Sequence, residues 1–172
     1  MQKQNVLPFG PHDGDRFAGL KPHDLGEEEA RSLVSLALAV LAARHRPGQS
    51  LTSPEETRAY LRLLLGERKN EVFVCVFLDC RHRVLGVEEL FHGTIDGAAV
   101  YPRVVVQRAL ERNAAALIIA HTHPSGVAEP SRADRAITRK LQNALSLVDV
   151  RVLDHLVVTA EESLSFAERG LL

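Results

Sequence analysis

Residues 115–134 read AALIIAHTHPSGVAEPSRAD. An apolar run meets two histidines one residue apart. A Pro-Ser-Gly turn follows, and an aspartate stands eleven residues after the second histidine. The run 115–120 has the length and composition of a buried strand. If the chain stays extended through His121-Thr122-His123, residues two apart face the same side, and both imidazoles reach one point. Gly126 tightens the connecting turn, and Pro124 and Pro130 stiffen it. Ser131 and Asp134 form an S-x-x-D cap that opens a helix. A strand, a turn and a helix start in this order make a β-to-α junction of a layered α/β domain.

Outward from this junction, the helix over 131–148 carries Ile137, Leu141, Ala144, Leu145 and Val148 on one stripe. That stripe must face a sheet. Asp134 lies three before Ile137, at the inward stripe's N-terminal end, whereas Arg132, Arg135 and Arg139 lie off it, towards solvent. VRVLDHLVVTA (150–160) reads as the last clear strand, and FAERGLL (166–172) as a terminal turn of helix. Upstream, EVFVCVFLD (71–79) reads as a buried strand and VLGVEELF (84–91) as its antiparallel mate. GTIDGAAV (93–100) is a loop or a short further strand. PRVVVQRALERN (102–113) is a helix with Pro102 at its first position. EEEARSLVSLALAVLAARH (27–45) is a helix with acids at its front and Arg44 and His45 at its back, as the helix dipole prefers. Ser53, Pro54 and Glu56 start another, with a capping box. The expected fold is α/β, a mixed β-sheet flanked by helices. Residues 1–25, rich in Gly and Pro, are expected to form a mobile arm, 26–49 an N-terminal helical segment, and 50–172 the main domain.

The chain has 172 residues, 45% of them hydrophobic, which is enough for one sizeable core. A net charge of −1 gives no strong field for nucleic acid or an anionic membrane. With no Trp and only two Tyr, there is little to stack bases. Cys75 and Cys80 are an odd number of residues apart, so along a strand they point to opposite faces and do not share a metal. They read as thiols of a reduced compartment. No secretory signal stands in MQKQNVLPFG, and LVSLALAVLAA (33–43) falls short of the roughly 20 apolar residues that span a bilayer. The expectation is a soluble, cytoplasmic protein with no membrane partner.

His121, His123 and Asp134 offer two imidazole nitrogens and a carboxylate oxygen. Zinc accepts this donor set, with a fourth position left for water. Hydrolysis at such a site needs a base and a donor for a developing oxyanion. Glu71, at the mouth of a buried strand, is a candidate base; Glu88 and Glu89 are rivals, and the residues leave the choice open. Ser131 is a candidate oxyanion donor. Asp154 and His155 are strand neighbours, so at most one faces the site, and His155 reads as a satisfied structural histidine. His82 and His92 fall at strand ends; His12, His23 and His45 have no assignment. The His-x-Glu and Pro-Cys-x-x-Cys ligands of a zinc deaminase are absent.

HTHPSGVAEPSRAD fits, without a gap, the pattern H-x-H-P-x6-S-x-x-D of the JAMM/MPN+ metalloproteases. The wider text resembles the bacterial RadC family, also called UPF0758, in EVFVCVFLD, RVLGVEELFHGTIDGAAVYPRVV, NAAALIIAHTHPSG, EPSRAD, LVDVRVLDHLVV and SFAERGLL. The resemblance covers about residues 50–172. It implies a cytidine-deaminase-like α/β/α fold with zinc held by His121, His123 and Asp134. It also implies that Ser131 hydrogen-bonds the tetrahedral intermediate, and it selects Glu71 over Glu88 and Glu89 as the base. The implied reaction is hydrolysis of peptide or isopeptide bonds in a protein or peptide substrate. Longer relatives begin with a helix-hairpin-helix, and no Gly-rich hairpin of that kind stands before residue 50. The family's DNA-repair label supplies the alternative, a DNA-associated binding module with a structural or vestigial zinc site, touching nucleic acid through Arg132, Arg135 and Arg139. Nothing in the sequence sets the oligomeric state.

Overall fold

The structure, a computed structural model, describes residues 17, 19–44, 47–48, 53–93 and 99–172, with Arg44 by its backbone alone. Most of the expected arm, His12, His45 and residues 94–98 of the GTIDGAAV segment lie outside the described residues. The chain divides into two compact units, residues 1–36 and 37–172. In the first, Pro22–Asp24 forms a short 3-10 turn, and Asp24 accepts from the Lys21 N–H at 3.0 Å. Helix α1 (Glu27–Arg44) begins there with three glutamates in its first turn. Among the described residues no helix is long and apolar enough to cross a membrane.

The second unit is built on one five-stranded sheet. Its strands are β1 (Val72–Leu78), β2 (Val84–His92), β3 (Ala116–Thr122), β4 (Arg151–Val158) and β5 (Ser163–Ser165), in the order β2-β1-β3-β4-β5. β1 runs antiparallel to β2 and β3, β3 is parallel to β4, and β5 is antiparallel to β4. Helices α2 (Pro54–Leu65), α3 (Pro102–Glu111) and α4 (Arg132–Ser146) complete the unit. The mixed α/β architecture expected from the sequence is the one observed.

β1 shows why both faces must be covered, since every one of its residues is buried. Val72, Val74, Val76 and Leu78 pack with Tyr60, Leu61 and Leu65 of α2, and Leu41 and Ala42 of α1 lie against this cluster. Phe73, Cys75 and Phe77 pack with Val105 and Ala109 of α3 and Leu141 and Leu145 of α4. Period-two alternation of an unbroken apolar strand thus divides its side chains between two helical layers. Each fully buried Leu or Phe contributes roughly 1.5–3 kcal/mol relative to exposure. Ser53 caps α2 as expected, its Oγ accepting from the Glu56 N–H at 3.3 Å, and its hydroxyl donates to Glu55 at 2.8 Å.

The tail makes the expected turn, with the Arg169 N–H bonded to the Ser165 carbonyl at 3.2 Å and the Gly170 N–H to the Ala167 carbonyl at 3.1 Å, and a short strand the sequence reading did not expect precedes it. Ser163–Ser165 pairs with β4, and the chain then turns back under the Asp154 carboxylate. Asp154 accepts from Ser165 Oγ at 2.6 Å and from the Ala167 N–H at 3.0 Å. A side chain from the neighbouring strand therefore anchors the start of this turn.

Two features of the topology position the site. The β3–α4–β4 unit is a parallel crossover, and ligands of α/β sheets collect at the carboxyl ends of such strands. β1 is antiparallel to β3, so its beginning lies at that same end. Phe73 pairs with His121 at the end of the β1–β3 ladder, and Glu71 stands two residues before Phe73, at the same end of the sheet as His123.

Candidate metal centre

His121 is the penultimate residue of β3, and His123 follows it with the chain still extended, its N–H bonded to the Val158 carbonyl at 2.9 Å. Both imidazoles therefore fall on one side. Gly126 closes the turn at φ +80°, a left-handed conformation that costs a side-chain-bearing residue. Asp134 arrives on the first turn of α4 through a reciprocal capping box. Ser131 Oγ accepts from the Asp134 N–H at 3.1 Å, and Asp134 Oδ2 accepts from the Ser131 N–H at 2.7 Å. The cap and the candidate ligand are thus one arrangement, and Asp134 is only 8% exposed.

The three groups converge. His121 Nε2 lies 3.0 Å from His123 Nε2 and 3.2 Å from Asp134 Oδ1, and His123 Nε2 lies 3.4 Å from Asp134 Oδ2. One ligand atom from each lies within 4.8 Å of the others. Burial alone would raise the Asp134 carboxyl, but both imidazoles, which donate to it through Nε2 only in their protonated forms, and the bond from Ser131 outweigh burial and hold the group far below the usual carboxylate range. The bond to Asp134 raises His123; burial opposes this, and the Val127 carbonyl and the charges of Asp134 and Glu71 reinforce it.

These donors fit a divalent cation. His123 Nδ1 lies 2.7 Å from the Val127 carbonyl oxygen, which can only accept, so Nδ1 carries the hydrogen and Nε2 of the neutral ring is bare. The bare Nε2 faces a second imidazole nitrogen and a carboxylate, an arrangement of lone pairs that a shared cation stabilises. Asp134 Oδ1 takes part in no backbone bond of the capping box, so a carboxylate oxygen remains for an ion.

Glu71 stands half-buried just before β1. Thr122, the residue between the histidines, fixes it there: its hydroxyl accepts from the Val72 N–H at 2.9 Å and donates to the Asn70 carbonyl at 3.1 Å. The backbone is thereby gripped on both sides of Glu71. The rivals are engaged elsewhere. A bulge between Phe73 and Val74 sets Glu88 opposite Cys75 and Glu89 opposite Val74, on opposite faces of the sheet. Glu88 pairs with Arg108 and Arg112 of the α3 segment, and Glu89 with Arg68. Ser131 is exposed, and the capping box uses its oxygen only as an acceptor, which leaves its O–H to donate.

Asp154 and His155 do point apart, as strand neighbours must. Asp154 staples the tail, while His155 lies fully buried against His121, its Nε2 2.8 Å from His121 Nδ1. On its other side His155 Nδ1 lies 2.7 Å from Thr138 Oγ1. Burial pushes His155 well below the ordinary histidine value, and the nearby His121 adds to this. Phe166 stacks on the ring at 4.6 Å between centroids, and Phe73 meets it edge-on at 6.0 Å. Arg132, Arg135 and Arg139 are exposed on α4, and Arg135 lies 3.5 Å from Glu129. Cys75 is buried and Cys80 exposed, both free.

The sequence reading missed Thr122 and Thr138. The buried stripe of α4 is Asp134, Thr138, Leu141 and Leu145. A threonine four residues after the candidate ligand, on the same stripe as the leucines, was the available signal. Thr122 had none, because its partners lie fifty and fifty-two residues away.

The RadC-like JAB domain family matches residues 51–171. A UPF0758 protein of Thioalkalivibrio sulfidiphilus is 57% identical over 172 residues, an alignment that covers 91% of this chain and 77% of the relative. A UPF0758 protein of Nitrosomonas eutropha is 52% identical over 161 residues, covering 94% of this chain and 71% of the relative. One of Nitrosococcus oceani is 64% identical over 125 residues, 73% of this chain and 56% of the relative. The match spans the whole β1–β5 unit and contains the converging histidines and aspartate, so the chain belongs to the RadC family.

Proposed function

We propose that this chain is a zinc-dependent hydrolase of the JAMM type that cleaves peptide or isopeptide bonds. The observation that carries the reading is the convergence of His121 Nε2, His123 Nε2 and an Asp134 oxygen, with Glu71 just before β1 at the same end of the sheet and its charge felt by His123. When bound there, the ion would supply positive charge that polarises a carbonyl and lowers the pKa of water towards about 7. The chain's own residues would do the rest. Glu71 accepts a proton from the attacking water and returns it to the leaving amine. The Ser131 hydroxyl donates to the oxygen on which negative charge develops. Thr122 holds Glu71 in reach.

The test is metal content by mass spectrometry together with hydrolysis of fluorogenic peptide and isopeptide libraries. Protein purified without added zinc is expected to carry about one ion, which His123→Ala loses, and to cleave a subset of the library. Equal, trace zinc in both proteins would overturn the ligand assignment; full zinc with no cleavage of either bond type would overturn the substrate class.

A further inference from the structure

We infer that Thr138 and His155 form a relay that fixes which nitrogen of His121 faces the metal position, so that both are positioning residues for this ligand. The inference rests on the metal-site reading above and extends it by one layer.

The direction of the relay follows from counting hydrogens. Thr138 Oγ1 lies 2.5 Å from the Asp134 carbonyl oxygen. Two oxygens approach that closely only with a hydrogen between them, and the carbonyl has none, so Thr138 donates. Its single hydrogen is then used. The contact of 2.7 Å to His155 Nδ1 must be made by an N–H of the ring, with the threonine oxygen accepting. His155 is enclosed by Phe73 and Phe166 with no exposed surface, and a neutral imidazole with its hydrogen on Nδ1 has a bare Nε2. That bare nitrogen accepts from His121 Nδ1 at 2.8 Å. His121 therefore carries its hydrogen on Nδ1, and its Nε2 is left bare, 3.0 Å from His123 Nε2 and 3.2 Å from Asp134 Oδ1. The peptide carbonyl at the root of the relay belongs to Asp134, itself a candidate ligand. One closed circuit thus ties the carboxylate's backbone to the tautomer of the first histidine. An imidazole without this constraint takes either tautomer, and the form with hydrogen on Nε2 offers a cation nothing. His123 needs no relay, because the Val127 carbonyl holds its Nδ1 directly.

The experiment uses 15N-labelled full-length protein, metal-free at pH 8, and two-bond proton–nitrogen correlation spectra that report which ring nitrogen bears the hydrogen. Zinc affinity is measured in parallel by chelator competition. In the wild type His121 is expected to show a protonated Nδ1 and a bare Nε2, and His155 the same pattern. Thr138→Val is expected to admit the other His121 tautomer and to weaken zinc binding about 10–100-fold. Thr138→Ser, which restores the hydroxyl, is expected to return both to wild-type values. A wild-type spectrum with hydrogen on His121 Nε2 overturns the relay, as does a folded Thr138→Val protein with unchanged spectrum and affinity. If Thr138→Val does not fold, the wild-type spectrum decides. If the wild type takes up no zinc, the metal-site reading fails, while the tautomer pattern still decides the relay.

Discussion

Thr122 grips the chain on either side of Glu71. Its hydroxyl takes the Val72 N–H at 2.9 Å and gives to the Asn70 carbonyl at 3.1 Å, so the residue between the two histidines also sets the position of the candidate base. Thr122→Val keeps the shape and removes both bonds. Turnover of a cleaved peptide is expected to fall about 10–100-fold, since a displacement near 1 Å in a reacting group costs about that much. Zinc content should stay at the wild-type level, and Thr122→Ser should restore turnover. Stability should drop by about 1–3 kcal/mol, because a backbone N–H and a carbonyl lose their partner. Wild-type turnover in Thr122→Val would show that Glu71 is held by something else or does not act.

The three glutamates of this region should separate cleanly by assay. Glu71→Gln is expected to keep zinc and fold while turnover falls about 10²–10⁴-fold, the range for loss of a general base. Glu88→Gln should instead unfold more readily, by about 1–2 kcal/mol, because its half-buried carboxylate joins Arg108 and Arg112. Denaturant melts and steady-state rates on the two variants decide this. If Glu88→Gln abolished turnover at unchanged stability, the assignment would be reversed.

Metal-free protein should be most stable near neutral pH. Folding depresses His155, so below about pH 6.5, the unfolded value, the unfolded chain binds the extra proton and stability rises with pH. Folding raises His123, so from about pH 6.5 up to its folded value the native state binds more protons and stability falls as pH rises. Asp134 is depressed, so its stabilisation is present above about pH 4 and declines below that. Each limb has a slope of at most about 1.4 kcal/mol per pH unit, and the His123 limb should be shallower because that ring is partly exposed. Thermal melts from pH 5 to 9 in a chelator measure the curve. Saturating zinc should flatten the alkaline limb, since the ion takes the proton's place. A chelated protein whose melting temperature climbs steadily from pH 6.5 to 8.5 would contradict the His123 geometry.

The tail should depend on Asp154. Its carboxylate receives Ser165 Oγ and the Ala167 N–H, and this turn carries the Phe166 ring that covers His155. Asp154→Ala is expected to cost at least about 2 kcal/mol, three charge-assisted hydrogen bonds being lost at a partly buried site, the third from the His155 N–H at 2.7 Å. Amide exchange at Phe166 and Ala167 should quicken more than exchange in β1. Unchanged protection in the tail would mean that packing of Phe166 alone holds it.

The sequence by itself determined the layers and the candidate ligand set. An unbroken apolar strand, a stripe on α4 and two capped helices point to an α/β sheet covered on both faces, because each apolar face must be buried against another layer. His121, His123 and Asp134 were legible because one strand, one turn and one helix start carry all three, so local geometry alone brings them together. The tertiary structure decided what lies across the sheet from them. Glu71 comes to the histidines' end of the sheet because β1 pairs antiparallel with β3 in the register Phe73 to His121. Residues alone left it level with Glu88 and Glu89, and the resemblance, not the periodicity, chose it. His155, Thr138 and the short β5 strand belong to the same class. Their partners lie on other elements, and strand register and helix docking are set by the packing of the whole core, which no single stretch of chain records.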